Sequence, residues 1–231
     1  MTMCSTNQLV SWGLVLFLFS YVVQGQDNLT GYWQPQIGVN YKVSNNYSHN
    51  FSLAKRTFIL RDSDTEFTIR QLDLAHFSNL KIRGNQSVGI GIQYRFRGLF
   101  DDTAENELRL IQQYNITKSN RGLRFGNRFR SEQRITHSLT IHRFRYRFAL
   151  DFPLQGQSLD IGETYLVLST ESLLSVAKAS LPEYDQRITA NLGWVLDEKT
   201  KLQVGTEYRA ENYTNETEHV FFFLTTLVLS L

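Results

Sequence analysis

Arginine alternates with aromatic and aliphatic residues along residues 127–152, which read NRFRSEQRITHSLTIHRFRYRFALDF. Successive side chains of a β-strand point to opposite faces of the sheet, so an extended chain separates these two residue types. A helix repeats every ~3.6 residues, and the same spacing would mix the two types on every face. The segment therefore predicts strands with one apolar face and one strongly charged face.

The two-residue period continues through most of the chain. Helical periodicity is hard to find after residue 26, the whole chain has three prolines, and no linker or low-complexity stretch divides it. Such alternation is typical of half-buried strands. We expect one all-β domain with strand segments at residues 35–43, 50–60, 66–82, 87–98, 107–116, 123–130, 143–152, 161–174, 187–196, 201–209 and 219–231.

The lengths of these segments and of their turns favour a membrane barrel. Strands of globular proteins usually have ~5–6 residues, whereas a tilted strand that crosses a bilayer needs ~9–11. Most of the segments are long enough to cross. Short turns such as SNNYS, RGNQ and LDEKT alternate with longer ones such as RGLFDDTAEN and AENYTNETEH. Outer-membrane barrels have short periplasmic turns and longer outer loops.

The two faces of the strands differ sharply in chemistry. One face collects large apolar residues, namely Leu123, Phe125, Phe129, Phe144, Tyr146, Phe148, Leu150, Ile188, Leu192 and Trp194. The opposite face collects charges that we interpret as a lumen charge ladder: Arg95, Arg97, Arg109, Arg124, Arg128, Arg130, Glu132, Arg134, Arg143, Arg145, Arg147, Glu163, Glu171, Arg187, Glu207 and Arg209.

An apolar face of this size needs a cover in water, and the sequence offers no amphipathic helix to provide one. In lipid it needs none. Unsatisfied backbone groups in hydrocarbon cost several kcal/mol each, so the sheet must close. The predicted fold is all-β, a single antiparallel transmembrane β-barrel of 10–12 strands. Eleven segments are visible, and because bacterial single-chain barrels usually have an even number, we expect ten or twelve.

Residues 1–26 resemble a secretory signal peptide, with an apolar run from Leu14 to Val23 that is too short to span a bilayer. The single cysteine, Cys4, lies in this segment, so residues 27–231, the expected barrel domain, contain none. A secreted eukaryotic domain of this size often carries disulfides. Their absence favours a bacterial envelope protein.

The blocks NRFRSEQR, HRFRYRFALDFPL, IGETYLVLSTE and YDQRITANLGW followed by LQVGTEYR resemble the uncharacterised family called domain of unknown function 2490. The resemblance covers most of the chain after residue 26 and is strongest over residues 105–231. It implies an outer-membrane β-barrel of a Gram-negative bacterium. It brings no known activity.

Charges inside a narrow barrel must be paired, since an unpaired buried charge is very costly. The expected partners of the arginines are Glu107, Glu132, Glu163, Glu171 and Glu207. Two interpretations stay open. The ladder either fills and rigidifies the lumen, or its surplus of arginine lines a path or pocket for an anionic solute.

Other chemistry finds little support in the sequence. Nucleic-acid binding is not expected, because a stacking platform needs arginine and aromatic residues on one face. The segment HSLTIH offers His137, Ser138 and His142, but no Gly-x-Ser-x-Gly elbow is present and the two histidines fall on opposite faces. His76 and His219 look isolated. We expect no catalytic residue, no metal site and no cofactor.

Three classes of function remain. The first is a structural or narrow anion-favouring barrel, the second an outer-membrane enzyme that acts on lipid, and the third a soluble secreted β-barrel that binds an apolar ligand. The expected partners of the first are outer-membrane lipid, an anionic solute and the barrel-insertion machinery. That machinery recognises the C-terminal strand that closes a barrel. The last segment resembles such a strand, because its apolar residues alternate: Phe221, Phe223, Leu227, Leu229 and Leu231.

Overall fold

The computed structural model describes residues 29–61, 64–178 and 180–231. The predicted signal peptide at residues 1–26 lies outside the described residues. The described residues form eleven strands: β1 (Leu29–Lys42), β2 (Tyr47–Leu60), β3 (Ile69–Arg83), β4 (Gln86–Phe96), β5 (Glu107–Asn120), β6 (Leu123–Ile135), β7 (Thr140–Pro153), β8 (Thr164–Ala177), β9 (Glu183–Val195), β10 (Thr200–Glu211) and β11 (Glu218–Ser230).

The strands form a closed barrel in which each strand is antiparallel to the next along the chain. Direction reverses at every turn, so the first and eleventh strands point the same way. β1 and β11 therefore pair in parallel, from Leu29 opposite His219 to Asn40 opposite Ser230. The expectations of an even strand number and of an entirely antiparallel sheet were wrong. One parallel pair leaves no open edge, and an open edge would cost more than the slightly weaker parallel pairing.

The barrel has two rims that differ in their connections. The upper rim holds Leu29 and the loops of residues 97–106, 136–139 and 212–217. The lower rim holds Ser230, and the turns at residues 43–46, 84–85, 121–122 and 196–199 lie there. The predicted short and long connections thus segregate to opposite ends. Two connections depart from this pattern: residues 154–163 form a long loop at the lower rim, and residues 136–139 form a four-residue connection at the upper rim.

That loop folds back toward the barrel. A Cβ on Gly122, in the turn between β5 and β6, would lie 2.9 Å from the Gln157 carbonyl oxygen. Arg121 and Gly122 have φ angles of 47° and 81°, as the two central residues of a type I′ hairpin turn require. The tight turn and the loop therefore meet at the lower rim.

The outward side of the barrel is apolar and uncovered. Ile90, Phe129, Phe144 and Ile188 are 68%, 50%, 51% and 58% exposed. Among the described residues, no helix is long and apolar enough to cross a membrane. What the fold buries lies inside the barrel.

One part of the interior is an aromatic cluster near the upper rim. Tyr32 and Phe222 are 2% and 0% exposed, and their ring centroids lie 5.1 Å apart. The Phe58 ring packs at a tilt against Tyr32, with the centroids 4.8 Å apart, and Val220 and Leu224 complete the cluster. The rest of the lumen is lined mainly by polar and charged side chains.

Candidate functional site: an arginine-rich lumen

Strand alternation brings fifteen of the sixteen predicted ladder residues to the lumen. Arg124 lies near the lower rim, where it pairs with Asp151. The others line the central cavity or form ion pairs with residues that do. They are Arg95, Arg97, Arg109, Arg128, Arg130, Glu132, Arg134, Arg143, Arg145, Arg147, Glu171, Arg187, Glu207 and Arg209.

Glu163 is placed elsewhere. It lies in the turn before β8, and its carboxylate accepts a hydrogen bond from the backbone N–H of Asp160 at 3.0 Å. The predicted strand of residues 161–174 begins only at Thr164, because Gly162 has a φ of 86° and turns the chain. Glu163 therefore belongs to a turn and not to the lumen.

Two carboxylates organise the arginines of β6, β7 and β9. Glu132 Oε1 lies 2.7 Å from Arg145 Nη1 and 3.5 Å from Arg130 Nη1. Glu171 Oε2 lies 2.6 Å from Arg145 Nη2 and 3.9 Å from Arg187. Arg145 thus bridges two carboxylates from opposite ends of its fork, a geometry in which arginine binds carboxylates strongly.

Carboxylates also bind arginines on the strands that flank this group, β5 and β10. Glu107 binds Arg109 and also Arg134, the latter at 2.7 Å. On the other side Glu207 binds Arg209 at 2.6 Å. Glu107 and Glu132 are each only 1% exposed, so their charges depend on these partners.

Three further carboxylates belong to this network and are not among the residues predicted from the sequence. Asp73 binds Arg95 through two hydrogen bonds of 2.7 and 2.8 Å. Asp185 lies 3.9 Å from Arg143, and Glu211 lies 3.4 Å from Arg209. Asp185 and Glu211 share a strand face with Arg187 and Arg209 two residues away, so the alternation could have identified them.

Two lumen arginines were also missed, Arg56 and Arg70. Arg56 pairs with Gln71 and Thr57 pairs with Ile69, so Arg70 is an extra residue in β3 and strict alternation fails there. Arg56 itself keeps the alternation of Ser52 and Ala54, which also line the lumen. Arg56 donates two hydrogen bonds to Gln34 Oε1, and its guanidinium lies 4.7 Å from the Phe222 ring centroid. Arg70 lies over Tyr32 at 5.2 Å. Their charges are stabilised by aromatic faces.

Positive charge exceeds negative charge in the lumen. Thirteen arginines line the central cavity, and eight carboxylates either line it with them or form ion pairs with them. Of the thirteen cavity-lining arginines, those with no ion pair among the described residues are Arg56, Arg70, Arg97, Arg128 and Arg147. The surplus positive charge faces the central cavity, and the carboxylates of the barrel do not fully neutralise it.

The lumen contains two adjoining cavities that share part of their lining. The upper cavity has a volume of about 950 Å³ and extends from Thr30 and Glu218 at the upper rim to Asn40 and Thr117. The lower cavity, of about 720 Å³, continues to Gly122 and Gln157 at the lower rim. The two share six lining residues, namely Asn115, Thr117, Arg128, Arg147, Asn191 and Gln203.

The histidines and Ser138 do not form a catalytic arrangement. The Ser138 hydroxyl donates to the Glu105 carboxylate at 2.9 Å in the upper loops. Hydrogen bonds from Thr136 and Ser138 hold the pKa of the Glu105 carboxyl below its usual range. His142 lies on the outward face of β7, so it cannot serve the lumen.

His76 and His219 are not isolated, contrary to expectation. His76 Nε2 lies 3.0 Å from His49 Nδ1, which also lies 3.1 Å from the Ser78 hydroxyl. His219 contacts the Tyr208 hydroxyl at 2.6 Å. These cross-strand contacts need the register, which a single strand pattern does not reveal. Over residues 29–61, 64–178 and 180–231, no cluster of three or more potential metal ligands is present.

Comparison with known proteins gives a family without an assigned activity. A search of curated proteins found no match. The sequence model of one family, described as Protein of unknown function (DUF2490), matches residues 30–220. That range begins in β1 and ends in β11, so it includes the ion-pair network and most of the residues that line the two cavities. The chain belongs to this DUF2490 family.

Proposed function

We propose that this protein is an outer-membrane β-barrel of a Gram-negative bacterium and that its lumen is a narrow, anion-favouring passage. The observation that carries the proposal is the surplus of arginine along two adjoining cavities that share six lining residues and together reach both rims. Among the described residues, five of the cavity-lining arginines have no ion pair, and for Arg97, Arg128 and Arg147 no aromatic face takes the place of a carboxylate.

The outer face supports the membrane location. Trp33, Ile90, Phe129, Phe144 and Phe223 are all at least 42% exposed. In water, an apolar band that surrounds a barrel would be far larger than the few hundred Å² that soluble monomers expose. Lipid solvates such side chains, and all eleven strand pairings are made, as the hydrocarbon environment demands.

The dimensions also support it. The strands contain 11 to 15 residues. At ~3.3 Å per residue and a tilt of ~45°, they span roughly 25–35 Å, close to the ~30 Å hydrocarbon core of a bilayer. Four of the five lower-rim connections are turns of two to four residues, which is the outer-membrane pattern with that rim in the periplasm.

The two alternatives fit the geometry less well. A soluble barrel that holds an apolar ligand needs an apolar interior, whereas arginine, carboxylate and amide groups line this lumen. An enzyme that acts on lipid needs a nucleophile, a base and a group that orients the base. Ser78 and His49 provide the first two on the outer face, and among the described residues no carboxylate orients His49.

Reversal potentials in planar bilayers test the proposal. Under a potassium chloride gradient, the purified full chain should show steady conductance with chloride preferred over potassium. Arg97→Gln combined with Arg147→Gln removes two unpaired lumen charges and should shift the reversal potential toward that of a non-selective pore. Arg83→Gln, at the exposed end of β3 and outside both cavities, is the matched control and should not shift it.

Arg145 is a poor choice for this test because it binds Glu132 and Glu171, so its loss would disturb the fold. Bilayers that stay silent, or a wild-type pore that prefers potassium, would refute the passage. A protein absent from the outer-membrane fraction of its host would refute the location.

A further inference from the structure

β6 and β7 place arginine directly opposite arginine at two neighbouring lumen positions. Arg130 faces Arg145, and Arg128 faces Arg147. Residues directly opposite in an antiparallel pair have Cβ atoms only ~4.5–5.5 Å apart, and like charges there destabilise the sheet. Each pair therefore needs a negative group close by.

The first pair has that group within the protein. Glu132 Oε1 contacts both Arg130 and Arg145, at 3.5 and 2.7 Å. This carboxylate belongs to the lumen face of β6 and is almost fully buried. Together with Glu171, which binds Arg145 at 2.6 Å, it balances the charge of the two guanidinium groups.

The second pair has no such contact: Glu171 lies directly opposite Arg147 on β8, but its carboxylate binds Arg145. Among the described residues, no carboxylate lies within ion-pair distance of Arg128 or Arg147. Arg128 Nε donates a hydrogen bond to Asn115 Oδ1 at 2.8 Å, and Asn115 is neutral. Arg147 forms no hydrogen bond in the described part of the chain, although both arginines line both cavities.

The wall leaves room beside this pair. The adjacent lumen position pairs Gly126 with Ala149, so neither strand fills the space. A Cβ on Gly126 would meet only the Ala149 Cβ, at 3.9 Å. The surrounding side chains shared by the two cavities are neutral hydrogen-bonding groups, from Asn115, Thr117, Asn191 and Gln203.

We propose that Arg128 and Arg147 bind a small oxyanion, of which phosphate is the representative, at the junction of the two cavities. The anion takes the position relative to this pair that the Glu132 carboxylate takes relative to Arg130 and Arg145. Two guanidinium forks can each donate paired hydrogen bonds to the oxygens of phosphate, whereas chloride is a single spherical ion with no oxygens to pair. The inference rests on the proposed anion passage and names the class of solute that the passage holds.

Calorimetric titration with inorganic phosphate tests this site. The probe is added to the purified full chain, folded in detergent micelles in chloride buffer, and folding of every variant is checked by heat-modifiable electrophoretic mobility. We expect saturable binding at one site. Arg128→Gln combined with Arg147→Gln should weaken it by about tenfold or more, as expected for loss of hydrogen bonds to a charged group.

A second variant keeps both arginines and removes the space. Ala149→Leu fills the gap opposite Gly126 and should also weaken phosphate binding, while Arg83→Gln should leave it unchanged. Absence of phosphate binding by the wild type would overturn the site. Equal binding by the wild type and the double variant would overturn it as well.

Conductance separates this inference from the function on which it rests. Phosphate should reduce chloride current through the wild-type pore and have little effect on the double variant. If the pore prefers anions and phosphate binds nowhere, the site is wrong and the passage stands. If phosphate binds through these arginines and no pore forms, the passage is wrong and the barrel is a phosphate-binding protein.

Discussion

Glu132 shows how a single residue determines whether the lumen can hold its arginines. It is 1% exposed, and its Oε1 serves both Arg130 and Arg145. Breaking a buried ion pair by removing one partner costs roughly 3–5 kcal/mol, because the remaining charge stays buried. Each buried charge of the network is therefore stable only while its ion-pair partners are present.

Glu132→Gln should lower the free energy of unfolding by roughly 3 kcal/mol, because two guanidinium groups lose their shared anion. Equilibrium urea titration in detergent micelles measures this change. Glu163→Gln is the matched control. Its carboxylate lies in a turn, so the same substitution should cost less than about 0.5 kcal/mol. Equal effects of the two substitutions would show that Glu132 is not a structural centre.

At the scale of single residues, alternation alone identifies most of the lumen. Arg128, Arg145 and Glu171 fall on one face because side chains alternate, and nothing further is needed. Arg70 and Asp73 both line the lumen although their spacing breaks the period, since the register shifts between β2 and β3. Which carboxylate binds which arginine depends on cross-strand register, so the pairs could not be read from the sequence.

At the scale of strands, the seam between β1 and β11 is the feature that the sequence could not reveal. Eleven segments are visible in the pattern, and β9 differs from its predicted range mainly by starting earlier, at Glu183. Nothing in the alternation states which edge meets which. Closure of an odd-numbered meander forces a parallel pair, a geometry that the usual even count argues against.

Cross-linking across the seam tests this pairing. Ile37 lies opposite Leu227, and both point outward. In a Cys4→Ser background, Ile37→Cys with Leu227→Cys should form a disulfide on oxidation, because neighbouring strands bring the Cα atoms within the 4.4–6.8 Å range that a disulfide needs. The readout is altered mobility of the denatured chain.

Ile37→Cys with Val204→Cys is the control, because β10 does not border β1. A cross-link in the control pair and none across the seam would mean that the barrel closes without β11. A twelfth strand inserted between β1 and β11 would likewise abolish the seam cross-link.

At the scale of the whole molecule, the barrel is an inverted globular protein. Its charges lie inside, around cavities of about 950 and 720 Å³, and its aromatic residues lie outside. In water this arrangement would expose the apolar residues and bury the charges. In a bilayer the apolar residues contact lipid and the charges face the polar lumen. The two-faced strands and the proposed membrane location therefore explain each other.

Phe148 and Ala149 are consecutive residues on β7 that face opposite sides of the wall, Phe148 outward and Ala149 into the lower cavity. A spin label attached to a cysteine at each position, in lipid vesicles and a Cys4→Ser background, reports which side is lipid and which is water. We predict that the label at position 148 collides mainly with dissolved oxygen, which concentrates in lipid. The label at position 149 should collide mainly with a water-soluble nickel chelate. The same preference at both positions, or the reverse order, would contradict the account.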